Sequence, residues 1–105
     1  MKKIECIVRP SKFDAIRDAL KKSGVGGMTA YEVSGFGNQR ARGRGSLRRM
    51  KIEIYVDDFQ VDNVMDIVMK HARTGTGETG DGKIAVIDLE TLYRIRTGEE
   101  GAKAI

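Results

Sequence analysis

The chain has 105 residues, of which 40% are hydrophobic and 32% charged, a balance that is typical of a folded domain and excludes a disordered chain. Its apolar runs are only a few residues long, which excludes a transmembrane helix, and its start lacks the apolar stretch of a signal peptide. The single cysteine, Cys6, excludes an internal disulfide, and its place on the apolar side of a predicted strand indicates a buried, unreactive thiol. We therefore expect one domain, residues 1–105, in the cytoplasm.

The positive charge is concentrated in one segment. The formal net charge is +4, yet the stretch 36–49 contains five arginines and no acidic residue. Without those five, the rest of the chain has 14 Lys and Arg against 15 Asp and Glu. A local positive field of this kind favours an anionic partner or anionic groups on a protein. The five arginines are Arg40, Arg42, Arg44, Arg48 and Arg49.

The first half of the chain predicts a strand, a helix and a second strand. Apolar and polar residues alternate over 4–8, and Pro10 closes that strand. Ser11 is a favourable N-cap for a helix whose apolar residues recur with helical spacing, and Ser23 with the glycine after it ends this helix. The β-branched and aromatic residues of 28–33 predict the second strand.

The second half repeats this order. Clean alternation over 50–56 predicts a third strand, and Asp57 or Asp58 can cap a second amphipathic helix. A fourth strand is predicted over 84–87, followed by a short strand or turn and a loose polar tail. Two glycine-rich segments interrupt the pattern, one at 35–49 between strands two and three and one at 74–82 before strand four.

The order β-α-β, loop, β-α-β predicts an α+β domain of the ferredoxin-like, split βαβ type. Its sheet would be antiparallel, with two helices on one face. Strands two and three are neighbours in this arrangement, so the first glycine-rich segment would be the tip of a hairpin. Strands one and three also have apolar residues on both faces, so we expect the uncovered face of the sheet to be covered by another subunit.

The second glycine-rich segment fits two nucleotide motifs only superficially. Gly75, Gly77 and Gly80 match G-x-G-x-x-G, but this run follows a helix and precedes a strand, the reverse of a dinucleotide fingerprint. A Walker A motif would need Ser or Thr where Ile84 stands. What remains is a glycine-rich loop whose N–H groups can converge on an anion, with Lys83 as a point charge; the alternative is a solvated turn.

Arg94 and Arg96 add a third set of cations. Two residues apart, they would share a face of an extended chain, and Arg is suited to bidentate contact with phosphate. There are too few Cys and His residues for a zinc site, and no nucleophile with a base is evident near His71. The sequence therefore favours a protein that binds a ligand over an enzyme.

Seven segments occur in a characteristic order. They are MKKIE at 1–5, GMT at 27–29, EVSGFG-x-Q at 32–39, KIEI at 51–54, RTG at 73–75, GDGKI at 80–84 and RIRTGE at 94–99. Each is weak alone, but the ordered set resembles the PII family of nitrogen-signalling proteins along the whole chain. The resemblance implies a homotrimer that binds ATP or ADP between subunits, takes 2-oxoglutarate alongside magnesium-ATP, and signals through a long loop that docks on partner proteins.

The resemblance also assigns individual residues. Gln39 would help to hold magnesium with ATP and, with Arg49, would contact 2-oxoglutarate. Asn38 stands where the family usually has a basic residue, and Arg49 where it usually has a lysine, so charge is kept at Arg49 but not geometry. The nucleotide-binding residues implied by the resemblance are Thr29, Gly35, Gly37, Asn38, Gln39, Gly80, Asp81, Gly82, Lys83, Arg94 and Arg96.

The predicted signalling hairpin loop, about 37–49, is shorter than that of the family and lacks the segment with the modified tyrosine. We therefore do not expect uridylylation or the family's usual partners. The predicted phosphate-binding loop, about 74–83, is slightly longer than usual.

We accordingly expect a signal-transduction protein that is not an enzyme, does not insert into membranes and regulates an unidentified protein partner, in nitrogen metabolism. The alternative is a nucleic-acid-binding module that uses the Arg/Gly-rich loop. It is less favoured because the loop offers only Phe36 for base stacking and the rest of the chain has no basic face. A nucleotide hydrolase or transferase is less favoured still, since no convincing general base is present.

Overall fold

In the part of the chain that the structure describes, four strands and two α-helices follow one another in the order that the sequence predicts. The computed structural model describes residues 1–37 and 46–105. No helix in these two ranges is long and apolar enough to cross a membrane. The elements are β1 (Lys2–Val8), α1 (Phe13–Lys22), β2 (Thr29–Gly35), β3 (Leu47–Val56), α2 (Val61–Ala72) and β4 (Gly82–Asp88), with 3₁₀ turns at Pro10–Lys12, Asp58–Gln60 and Gly101–Ala104.

The sheet has the strand order β2-β3-β1-β4, and every neighbouring pair is antiparallel. In the centre of the sheet Ile4 lies opposite both Ile54 of β3 and Val86 of β4. This is the split βαβ arrangement, so the predicted α+β, ferredoxin-like fold is confirmed. Strands β2, β3 and β4 are longer than predicted, because ladder pairing extends into polar and glycine residues such as Ser34, Arg48 and Gly82 that give no strand signal.

The core lies between one face of the sheet and both helices. Alternate residues of the two central strands are fully buried, and α1 and α2 contribute apolar residues at helical spacing. Both helices therefore cover the same face, as predicted. The buried side chains are Ile4, Cys6, Val8, Ile16, Leu20, Ile52, Ile54, Val56, Val64, Val68 and Ala72.

The opposite face of the sheet has a charged centre. Glu5 and Glu53 lie directly opposite each other on β1 and β3. The Lys3 Nζ atom lies 3.0 Å from Glu5 Oε1 and 2.6 Å from Glu53 Oε1, and Lys51 Nζ lies 3.4 Å from Glu5 Oε1. Hydrogen bonds from Lys3 lower the pKa of both carboxyls. This face is thus less apolar than predicted, although Ile7, Tyr55 and Ile87 flank the charges and are each about 40% exposed.

The start of α1 differs from the prediction. Ser11 is not the N-cap. A 3₁₀ turn over Pro10–Lys12 precedes the helix, and Arg9 is the N-cap residue of that turn. No side chain caps the turn or the helix. The reason is Pro10, whose fixed φ and missing N–H suit the first position of such a turn. Before the second helix Asp57 rather than Asp58 is the cap: it caps the 3₁₀ turn Asp58–Gln60 that leads into α2, and its N–H donates to Gln60 Oε1 at 3.0 Å.

The C-terminal tail is not loose, contrary to the sequence prediction. Residues Gly101–Ala104 form a 3₁₀ turn, and Arg94 Nη2 donates to the carbonyl of Ile105 at 2.8 Å. Arg94 and Arg96 are also not on an extended strand, because Gly98 N–H donates to the Arg94 carbonyl at 2.7 Å and closes a turn. The polar composition of the tail gave no indication of these hydrogen bonds.

The buried thiol of Cys6 provides a test of the core. Burial raises the pKa of Cys6 to about 12, so at pH 8 only about one thiol in 10⁴ would be ionised. We expect no modification by iodoacetamide at pH 8 in the native state and complete modification in denaturant, measured by intact mass. Because ionisation is easier in the unfolded chain, the free energy of unfolding should also fall as the pH rises through the ordinary cysteine pKa. Rapid alkylation of the native protein would contradict this packing.

Candidate functional site

A cleft of about 560 Å³ opens at one end of the sheet, where the β2–β3 connection meets the loop before β4. Gly35, Gly37 and Arg49 line it from the first glycine-rich segment. Gly80, Asp81, Gly82 and Lys83 line it from the second. The structure therefore brings together two glycine-rich segments that are separated in the sequence by residues 50–73 and that the sequence indicated separately.

Strand register explains why these segments meet. Val8, at the end of β1, lies opposite both Met50 of β3 and Gly82 of β4. The end of β1 and the first halves of β3 and β4 therefore lie at the same end of the sheet. Ile7, Val33 and Leu47, whose part in the cleft was not predicted, give it an apolar wall.

The cleft contains cations at three positions. Arg49 and Lys51 of β3 and Lys83 of β4 all line it. Lys51 also contacts Glu5 and the ring of Tyr31. Lys83 is exposed, and within residues 1–37 and 46–105 no carboxylate forms an ion pair with it. Its ammonium group is accordingly available to an anionic ligand.

The carboxylate of Asp81 accepts hydrogen bonds from its own loop. Its Oδ2 accepts the backbone N–H of Glu78 at 2.8 Å and that of Thr74 at 3.1 Å. These two hydrogen bonds hold the pKa of the Asp81 carboxyl well below its usual range, so it is ionised at neutral pH. The carboxylate thus organises the turn of its own loop.

Arg9 is a contact of this loop that the sequence analysis missed. Its Nη2 donates to the Thr79 carbonyl at 3.0 Å, and its Nε lies 3.4 Å from Asp81 Oδ1. An arginine after a strand and before a proline is an ordinary sequence feature, so only the fold, by bringing β4 beside β1, reveals the contact.

Two backbone donors of the loop remain available. In the described part of the chain, no acceptor is bonded to the N–H of Thr79 or of Gly80, and both residues line the cleft. Successive free N–H groups beside a lysine are a common arrangement for binding phosphate or carboxylate. The cleft can therefore hold an anionic group at this loop and an apolar or aromatic group against its wall.

Three of the predicted nucleotide-binding residues do not line this cleft. Thr29 begins β2, at the opposite end of that strand from Gly35. Arg94 and Arg96 belong to the turn after β4; Arg94 contacts Glu99 and Ile105, and Arg96 is exposed. The predicted residues Asn38 and Gln39 lie outside the described residues.

Comparison with known proteins identifies the family. The family model described as "Nitrogen regulatory protein P-II" matches residues 1–99. The nitrogen regulatory protein P-II of Nostoc punctiforme is 48% identical, that of Synechocystis sp. is also 48% identical, and nitrogen regulatory protein P-II 1 of Escherichia coli is 46% identical. Each alignment covers all of both chains.

The chain belongs to the nitrogen regulatory P-II family. Its alignments to these P-II relatives run over 114 positions, nine more than the 105 residues of this chain. The relatives therefore have residues that this P-II chain lacks.

The glycine at position 82 gives a test of the site's geometry. Gly82 has φ of +111°, and a Cβ added there would overlap the carbonyl oxygen of Ile7. Gly82→Ala should lower the free energy of unfolding by about 2 kcal/mol or more, measured by urea denaturation, because strain and overlap both act there.

Gly27→Ala is the matched control, since no atom lies within 4 Å of its added Cβ and its φ is not positive. It should leave the unfolding midpoint nearly unchanged. Equal midpoints for the two variants would show that β4 does not approach β1 at Gly82 as described.

Proposed function

We propose that this P-II protein is a signal-transduction protein of nitrogen regulation that binds ATP or ADP in the cleft and reports the bound nucleotide to a protein partner. The observation that carries the proposal is the meeting of the root of the β2–β3 connection with the glycine-rich loop and Lys83 in one cleft. A ligand held there contacts both segments, so its charge can act on the connection between β2 and β3. Residues 1–105 form one domain in this proposal, with a signalling loop at about 37–49 and a phosphate-binding loop at about 74–83.

The chemistry of the cleft suits a nucleotide. Its volume falls within the range of small-molecule sites, roughly 300–1,000 Å³. The phosphate groups would meet Lys83 and the free N–H groups of Thr79 and Gly80, while the wall formed by Ile7 and Val33 would contact the apolar part of the ligand. Charge-assisted hydrogen bonds of this kind are stronger than those between neutral groups.

A homotrimer would complete the site. Thr29, Arg94 and Arg96 lie away from the cleft of their own chain, and the family resemblance assigns all three to nucleotide binding. We infer that they act on the cleft of an adjacent subunit. The exposure of Arg96 and of Ile95 next to it supports this, because a turn that presents an unburied isoleucine between two arginines is suited to contact another chain.

Magnesium would enter the site with ATP. Within the described residues there is no group of three or more His, Cys, Asp or Glu side chains that could hold a metal ion alone. This fits magnesium, which is commonly held by phosphate oxygens and one or two protein ligands. Gln39 is the proposed protein ligand, and Gln39 with Arg49 would contact 2-oxoglutarate.

Signalling requires that the nucleotides act differently on the loop. ADP lacks the outer phosphate group of ATP, so it should act less on the root of the loop than magnesium-ATP does, and this difference is what a switch needs. In the proposal the protein is not an enzyme and acts in the cytoplasm. A nucleic-acid-binding role is not favoured, since Arg48 of the basic segment pairs with Glu32 at 2.5 Å and the charges in the centre of the open sheet face balance.

Subunit association can be measured directly. We expect light scattering at micromolar protein to give three times the chain mass of 11.6 kDa, because the sheet face without helices is then covered by neighbouring subunits. A uniform monomer would rule out both the homotrimer and the shared site.

Nucleotide binding can be tested at one lysine. Lys83→Ala removes a charge-assisted contact of roughly 1.5–3 kcal/mol. Calorimetry should therefore show dissociation constants for ATP and ADP that are higher by about tenfold or more, with the trimer intact. Lys21→Ala, which removes an exposed lysine at the end of α1, is the control and should bind like the wild type. An unchanged dissociation constant for Lys83→Ala would place the nucleotide elsewhere.

A further inference from the structure

The Asp81 carboxylate is engaged by its own loop. One of its oxygens accepts two backbone N–H groups, and the other faces the Arg9 guanidinium. The side chain is only 17% exposed. A carboxylate with donors on both oxygens has little capacity left for a ligand, and its charge would repel a phosphate. The geometry therefore disagrees with a direct contact between Asp81 and a nucleotide.

Arg9 reaches the same loop from the end of β1. Its guanidinium donates to the Thr79 carbonyl and lies 3.9 Å from Glu78 Oε2 as well as beside Asp81. Its side chain is 22% exposed. The planar, five-donor guanidinium can serve several acceptors at once, which fits it to bind a backbone carbonyl and a carboxylate together. Arg9 thus links the loop to the end of β1 at Thr79, one of the two residues whose N–H groups are available.

We propose that Arg9 and Asp81 are a positioning pair, which holds residues 74–82 in the shape that receives phosphate groups without touching the nucleotide. The proposal rests on the nucleotide-binding function proposed above. Gly75, Gly77 and Gly80 all have positive φ, and such residues are costly to order from a flexible state. A loop that is ordered before binding avoids that cost when the ligand arrives, and this raises affinity.

Three substitutions isolate the pair. Arg9→Gln removes the charge, Asp81→Asn removes the charge and one acceptor, and Arg9→Lys keeps the charge with a single donor group. We expect ATP binding to weaken about tenfold for Arg9→Gln and Asp81→Asn, and about threefold for Arg9→Lys, from the loss of charge-assisted hydrogen bonds. Arg17→Gln is the matched control, because Arg17 pairs with Asp14 and Asp18 on α1, away from the cleft.

Hydrogen exchange without nucleotide separates positioning from contact. The amides of Thr74 and Glu78, which donate to Asp81, report on loop order. Arg9→Gln and Asp81→Asn should accelerate their exchange in the ligand-free trimer, while Lys83→Ala should weaken binding and leave their exchange unchanged. The double variant Arg9→Gln/Asp81→Asn should bind little worse than either single variant, because the two residues act on the same loop.

The outcomes that would overturn the proposal are distinct. Weaker binding without faster exchange would mean that Arg9 or Asp81 contacts the nucleotide directly. Faster exchange with unchanged binding would mean that loop order does not determine affinity. Either result would overturn the positioning pair and leave the proposed function standing, whereas wild-type protein that binds neither ATP nor ADP would overturn both.

Discussion

The antiparallel pairing of β1 with both β3 and β4 is the constraint on which the other features depend. It buries Ile4, Cys6 and Val8 beneath the helices and fixes which residues of the neighbouring strands share their face. A shift of one residue in either ladder would move every apolar side chain of that strand to the wrong face, so the buried core determines the register. The same register places the root of the β2–β3 connection beside the loop before β4, and the cleft follows from it.

The charged residues around the cleft have different roles. Asp81 and Arg9 satisfy each other and the loop, whereas Lys83 has no carboxylate partner in the ranges that the structure describes. An anion that enters the cleft therefore meets available donors, and the Asp81 carboxylate is already held by Arg9 and two N–H groups. This division allows a loop with an acidic residue to bind phosphate, as the proposed function requires.

The open face of the sheet has a mixed character that bears on assembly. Lys3, Glu5, Lys51 and Glu53 form a balanced set of charges at its centre, with apolar side chains around them. Covering this face with other subunits would bury apolar area and leave the central charges paired within their own chain. Because these ion pairs already form within one chain, association would gain nothing from them and would cost part of their hydration, so we expect the apolar rim to supply most of the free energy of association.

The sequence by itself determined the element order, the fold class, the buried faces and the family resemblance. These depend on local periodicity and on ordered motifs, which can be read directly from the chain. It also indicated Gly35, Gly37, Gly80, Gly82, Lys83 and Arg49 as site residues, and the structure places all of them at one cleft. The sequence failed at Ser11, at the C-terminal tail and at the extended Arg94–Arg96 segment, where Pro10 and backbone hydrogen bonds decided the conformation.

Only the tertiary structure revealed the contacts of Arg9 with the loop before β4 and the hydrogen bonds that Asp81 accepts within that loop. The Arg9 contacts join residues about 70 positions apart in the sequence, because β4 pairs with β1 and Gly82 lies against the Ile7 carbonyl. The hydrogen bonds that Asp81 accepts from Thr74 and Glu78 lie within the loop itself. It also showed that one chain does not bring Thr29, Arg94 and Arg96 to the cleft. Periodicity determines which face of an element is buried, but which loops meet is decided by strand register over long distances, and that information is not local.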